Sequence, residues 1–167
     1  NKHKKVGDFY YRFNAFNNVI EVKASLDDDI ASALKKDKTL SILAYGNKLK
    51  FKTFIDKKGN TLNGYLYELF HGEKYLLFKR KHVTFKEGYP APNPFVKGKP
   101  HKFFKNDEFY IQEVGVNRIV ELKAKNRTLL KMLPKNIRTD TAAFIKENDL
   151  NVKNEKDLIK VFEVLNN

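Results

Sequence analysis

Cysteine is missing from the chain, which excludes disulfides, thiolate metal sites and cysteine nucleophiles. Tryptophan is missing too, and serine occurs only at Ser25, Ser32 and Ser41. No GxSxG elbow, phosphate-cradling glycine loop or dinucleotide fingerprint is present, so the common nucleophile and nucleotide signatures drop out. Arginine is scarce: five of the 33 basic residues are Arg and 28 are Lys. Phosphate and base recognition favours the planar Arg fork, so this balance weakens a nucleic-acid reading of the +13 net charge. No apolar run approaches the roughly 20 residues that a membrane-spanning helix needs.

The four histidines, His3, His71, His82 and His101, show no HExxH spacing and have no cysteine to complete a zinc site. Asp27, Asp28 and Asp29 lack the glycine and distal glutamate of a calcium loop and suit helix capping better. His71 and Glu73 flank Gly72 at a hairpin tip, where solvation is the simpler reading. Glu108 and Glu121 fall on the two strands of a late hairpin, where any two strand residues can meet, and charges placed for solubility explain them as well. No catalytic residue, metal ligand or cofactor site is expected, and the chain reads as a non-enzyme.

What the sequence does hold is aromatic β-strand material, with 14 Phe and 8 Tyr among 167 residues. Residues 65–84, YLYELFHGEKYLLFKRKHVT, carry two apolar runs around a short glycine-containing break, the pattern of a hairpin. Large apolar groups fall on both alternating faces, so this hairpin is expected to be central and covered on two sides. Residues 9–16 and 19–24 form a second hairpin about Asn17 and Asn18, and residues 40–45 and 49–55 a third about Gly46 and Asn47. Between them Ser25 and Asp28 have capping-box spacing, predicting a short helix over residues 26–36 docked by Ile30 and Leu34.

Four prolines (Pro90, Pro92, Pro94, Pro100) then interrupt the pattern, predicting an extended strap over residues 88–104. Residues 108–113 and 118–123 give a late hairpin. Asn126 is placed to cap a helix ending before Pro134, a second helix runs over about residues 140–148, and Asn154 caps a last one. In that last helix Leu158, Val161, Phe162 and Leu165 line one stripe. The fold class is therefore α+β, mainly antiparallel β: a curved meander, partial barrel or sandwich with one short inserted helix and two or three short C-terminal helices. The expected organisation is a β body (1–87), a proline-rich basic strap (88–105) and a hairpin with a helical unit (106–167), together one compact domain.

Charge is uneven. Residues 74–105 carry nine Lys and Arg against Glu87 alone, a net +8. This segment is the candidate binding surface for a partner or polyanion: Lys79, Arg80, Lys81, Lys97, Lys99 and Lys102 supply charge, and Tyr89, Phe95 and Phe103 contact area. Aromatics interleaved with bases also mark Tyr10, Arg12, Tyr75, Phe78 and Arg80 as stacking candidates for single strands, against the alternative that strand aromatics are core.

Three segments, YRFNAFNNVIEVK, YELFHGEKYLLFKRK and FIKENDLNVKNEKDLIKVFEVLN, occur in this order from about residue 9. In this the chain resembles a loose group of exported, β-rich, Lys-rich proteins of Bacteroidota, especially flavobacteria. The resemblance implies export to the periplasm, outer membrane or cell surface, and carries no catalytic or binding residues with it. The chain opens at Asn1 without methionine, as a mature or trimmed product would, with any signal peptide or lipid anchor upstream. The expected function is a non-enzymatic interaction module or accessory subunit of an envelope assembly, its partner another envelope protein or complex. The alternative is a polyanion binder, for nucleic acid or acidic polysaccharide, using residues 74–105. Oligomeric state is left open.

Overall fold

The computed structural model describes residues 9–44, 46–93 and 95–167. The basic opening segment 1–8, Tyr45 and Pro94 lie outside the described residues. Nine strands precede three helices: β1 Tyr10–Asn14, β2 Val19–Lys23, β3 Ser32–Ala33, β4 Ser41–Ala44, β5 Asn47–Ile55, β6 Thr61–His71, β7 Tyr75–Lys86, β8 Lys102–Glu113, β9 Ile119–Leu122, α1 Asn126–Met132, α2 Lys135–Glu147 and α3 Glu155–Asn166. The fold is α+β with mostly antiparallel sheets. The chain divides into two compact units: unit 1 is Asn1–Asp37 with His82–Lys105, and unit 2 is Lys38–Lys81 with Asn106–Asn167. Strands β7 and β8 each contribute residues to both.

Unit 2 holds the core. Strands β4 to β9 follow one another in a six-stranded sheet, and Ile55 of β5 also pairs in parallel with Val120 of β9, closing the circuit from β5 to β9. The central hairpin β6–β7 has both faces covered, as its apolar alternation predicts. Leu66, Leu76 and Phe78 pack with Phe54, Tyr110 and Ile119, while Tyr75 and Leu77 pack with Leu129, Leu158, Val161 and Phe162 beneath the helices. The expected stripe of α3 is buried throughout. Asn154 caps that helix, accepting from the Lys156 N–H. At the far end Asn166 Oδ1 accepts from the Lys74 and Tyr75 N–H groups at 2.8 and 2.9 Å, tying α3 to the hairpin tip.

Two helix expectations need correction. Lys125, not Asn126, is the N-cap of α1; Asn126 is its first residue and instead grips residues 150–152, donating to the Leu150 carbonyl and accepting from the Val152 N–H. The second helix starts five residues earlier than expected, at Lys135, because Pro134 at its N-cap presents no N–H that needs a partner.

Unit 1 is a three-stranded sheet, β1–β2–β3, and the chain between β7 and β8. Its first hairpin forms as expected: Asn14 Oδ1 accepts from the Phe16 and Asn17 N–H groups, and Asn18 takes a positive φ of 52°. The helix predicted over residues 26–36 does not form. Its capping-box contacts do: the Ser25 N–H donates to Asp28 Oδ2 and the Asp27 N–H to Ser25 Oγ. They close a turn instead, after which β3 pairs with β2 through Val22–Ser32 and Glu21–Ala33, and the Leu34 N–H reaches the Ile20 carbonyl. A helix this short is marginal unless an apolar face is buried, and Ile30 is 81% exposed. The open edge of β2 offers the backbone better partners.

The strap is also corrected. Residues 88–101 double back on themselves as a narrow ribbon prolonging β7 and β8. Tyr89 and Lys99 exchange both backbone hydrogen bonds at 2.8 Å, and Asn93 pairs with Val96. The described prolines occupy other positions, so the lost N–H groups fall outside this bridge. Asn93 Oδ1 accepts from the Phe95 and Val96 N–H groups, closing the tip as an Asx turn. Gly88 and Gly98 permit the close approach: a Cβ on Gly88 would stand 2.0 Å from the Lys99 carbonyl oxygen, and one on Gly98 2.7 Å from the Ala91 nitrogen.

Candidate interaction surface

Strand residues alternate faces, and in unit 2 that alternation divides aromatics between two buried layers. In unit 1 it does not. Among the described residues of this unit Ile20 alone is buried. Nine aromatic side chains of the unit are 45–96% exposed: Phe9, Tyr10, Tyr11 and Phe16 about β1, and Phe85, Tyr89, Phe95, Phe103 and Phe104 along the ribbon. No described aromatic of unit 2 is exposed. Burying a large aromatic is worth about 1.5–3 kcal/mol, so leaving nine in water forgoes a sizeable stabilisation. Large contiguous apolar patches on a surface are associated with interaction sites, and Phe103 is in ring contact with both Phe16 and Phe85.

The ribbon's two faces differ. On one, Phe85 stacks on the His101 imidazole (centroids 5.5 Å apart, planes at 18°) and leans on Phe103 at 5.0 Å, while Phe103 meets the edge of Phe16 at 5.8 Å. His101 Nδ1 accepts from the Gly88 N–H, fixing the ring, and the Val83 N–H donates to the Ala15 carbonyl, fastening ribbon to first hairpin. Residues one step along point the other way. Lys86, Lys102 and Phe104, with Glu87, Tyr89, Lys99 and Pro100, line an open cleft of about 400 Å³. The Lys99 ammonium stands 5.8 Å from the centroid of the Tyr89 ring.

The predicted binding residues fall into two groups. Lys79, Arg80 and Lys81 belong to unit 2 and are engaged there. Lys79 is buried and pairs with Glu155, with Asp107 at 3.8 Å; Arg80 pairs with Glu108 at 3.1 Å and lies over the Phe54 ring; Lys81 lies over Tyr67. Tyr89, Phe95, Lys97, Lys99, Lys102 and Phe103 are brought together in unit 1, all exposed. Of the stacking candidates, Tyr75 and Phe78 are core, Arg12 is paired with Glu21, and Tyr10 is exposed.

Sequence reasoning passed over Phe16, Phe85, Lys86 and His101 as parts of a surface, and read Phe104 only as an aromatic of a packing strap. Period-two alternation on either side of the prolines, continued into the strap, would have found the last four; nothing local signals Phe16.

Compared with known proteins, the chain matches no family model, no curated protein and no solved structure.

Other polar clusters are tied into the fold. Burial pushes the Tyr110 hydroxyl pKa well up, and the neighbouring Glu108 carboxylate, which accepts its hydrogen bond at 3.0 Å, adds to the effect. Glu121 Oε2 accepts from the Lys57 N–H at 2.8 Å, so the two late-hairpin acids have separate partners. Glu21 is held below the usual glutamate range by the Asn14 amide and by Arg12. Among the described residues no group of three His, Asp or Glu stands close enough to hold a metal ion, and no helix is long and apolar enough to cross a membrane.

Proposed function

We propose that the protein is a non-enzymatic interaction module that docks a protein partner on the exposed aromatics of unit 1. The observation that carries this reading is the contrast between units: one leaves no described aromatic exposed, while the other buries Ile20 and exposes nine rings. Aromatics supply much of the energy of protein interfaces, and a ring held in place by its neighbours loses little freedom on docking. Residues 82–105 carry five lysines against Glu87, so the partner it fits has an apolar contact area rimmed by acids. A second copy of the same ribbon would meet like charge. The resemblance to exported Bacteroidota proteins supports an envelope setting, with the chain as an accessory subunit of an assembly at the outer membrane or cell surface.

Site-specific photo-crosslinking in host cells tests this. A crosslinking amino acid at Phe95 or Phe103 is expected to give one discrete adduct to another protein, and the same group at Val164 of α3 none. An adduct to a second copy of the chain, equal labelling at Val164, or no discrete adduct would contradict it.

A further inference from the structure

The cleft lined by Lys86, Lys99 and Lys102 has a chemistry specific enough to name a ligand class. Three lysines, Lys86, Lys99 and Lys102, and one acid, Glu87, share the lining with Tyr89 and Phe104. Among the described residues neither Lys86 nor Lys102 makes an ion pair. The volume of about 400 Å³ lies in the range of small-ligand clefts, roughly 300–1,000 Å³. An excess of two positive charges calls for an anion.

Three features narrow the anion. The cations are all lysine, compact point charges that meet carboxylates singly, and the lining holds no Arg fork to grip a phosphate in bidentate fashion. Glu87 accepts hydrogen bonds from hydroxyl donors, which a sugar ring supplies. The Tyr89 and Phe104 rings offer apolar surface for the C–H face of a ring that carries those hydroxyls. Charge, hydroxyl donors and an apolar ring face occur together in a carboxylated sugar.

We propose that the cleft lined by Lys86, Lys99, Lys102, Glu87, Tyr89 and Phe104 binds acidic carbohydrate, taking one or two uronic acid units of a polyuronate chain. The lysines meet the carboxylates, Glu87 accepts from a ring hydroxyl, and the aromatic rings pack against the sugar. Phe85, Phe95 and Phe103 do not line the cleft, so the crosslinking test and the carbohydrate test read different residues.

Titration calorimetry with polygalacturonate oligomers on the intact chain tests the assignment, with neutral dextran and a thymidine oligonucleotide as comparison ligands. Replacing the three cleft lysines together (Lys86→Gln, Lys99→Gln, Lys102→Gln) is expected to weaken polygalacturonate binding by about tenfold or more. Removing the same charge elsewhere (Lys146→Gln, Lys153→Gln, Lys160→Gln) is expected to change it by no more than about twofold, because exposed charges outside the cleft lining are screened. Dextran should not bind. Absence of polygalacturonate binding, equal loss in both triple variants, binding of dextran, or an oligonucleotide bound as tightly as the polyuronate would each overturn the proposal.

Discussion

Glu68 shows how a single carboxylate is made to serve the sheet. It sits on β6 with its side chain 7% exposed, pairs with Lys50 of β5 at 2.6 Å, and has the His71 ring at 3.4 Å. Burial alone would raise its pKa, but the Lys50 hydrogen bond and charge, aided by His71, outweigh burial and hold it below the ordinary 4.5. The stabilisation from a depressed carboxylate is complete above the unfolded-state value and is lost as the pH falls through the folded one. Glu68→Gln should therefore cost about 1 kcal/mol at neutral pH. Urea denaturation of both proteins should show that difference constant down to about pH 5 and vanishing as the pH drops below 4.5. A difference that persisted undiminished well below that range would show that the pair's charge is not what holds the strands.

At the scale of elements, the segment after β2 separates what local chemistry dictates from what packing decides. Ser25 and Asp28 make their capping contacts, yet the residues beyond them run on to β3 rather than into a helix. Ile30→Asp should accordingly leave stability within about 0.5 kcal/mol of the parent, as exposed substitutions do. A docked helix would lose several times that, and chemical denaturation distinguishes the two. The central hairpin, the first hairpin and α3 were legible because burial and local pattern agree there: Leu66, Phe78 and Leu158 satisfy both. The false helix and the ribbon were not legible, because each depends on a neighbouring backbone. Ser32 pairs with Val22, and Tyr89 with Lys99, across chain separations that no periodicity records. Of the candidate site, Tyr89, Phe95, Lys97, Lys99, Lys102 and Phe103 were found from composition alone. Lys79 to Lys81 read as equally basic but are paired inside unit 2, since a charge run does not reveal Glu155 or Glu108 opposite it.

For the molecule as a whole, the two units handle the same aromatic-rich composition in opposite ways. Unit 2 packs its rings against a circuit of strands and three helices, leaving no described aromatic exposed. Unit 1 holds its shape with backbone pairing, the Asx turn at Asn93 and the edge contacts of Phe16, Phe85 and Phe103, and leaves its rings in water. A two-stranded ribbon is marginal alone, and under the proposed function a partner would cover its rings. Phe95 is the sharpest case, 96% exposed at the ribbon tip. The most direct measurement is the affinity of Phe95→Ser for the partner identified by crosslinking, read beside its melting temperature. An interface aromatic of this kind is worth upwards of about 1.4 kcal/mol, so affinity should fall about tenfold or more while the melting temperature stays within about 2 °C. Unchanged affinity, or a melting temperature that falls with it, would contradict the assignment of unit 1 as a docking surface.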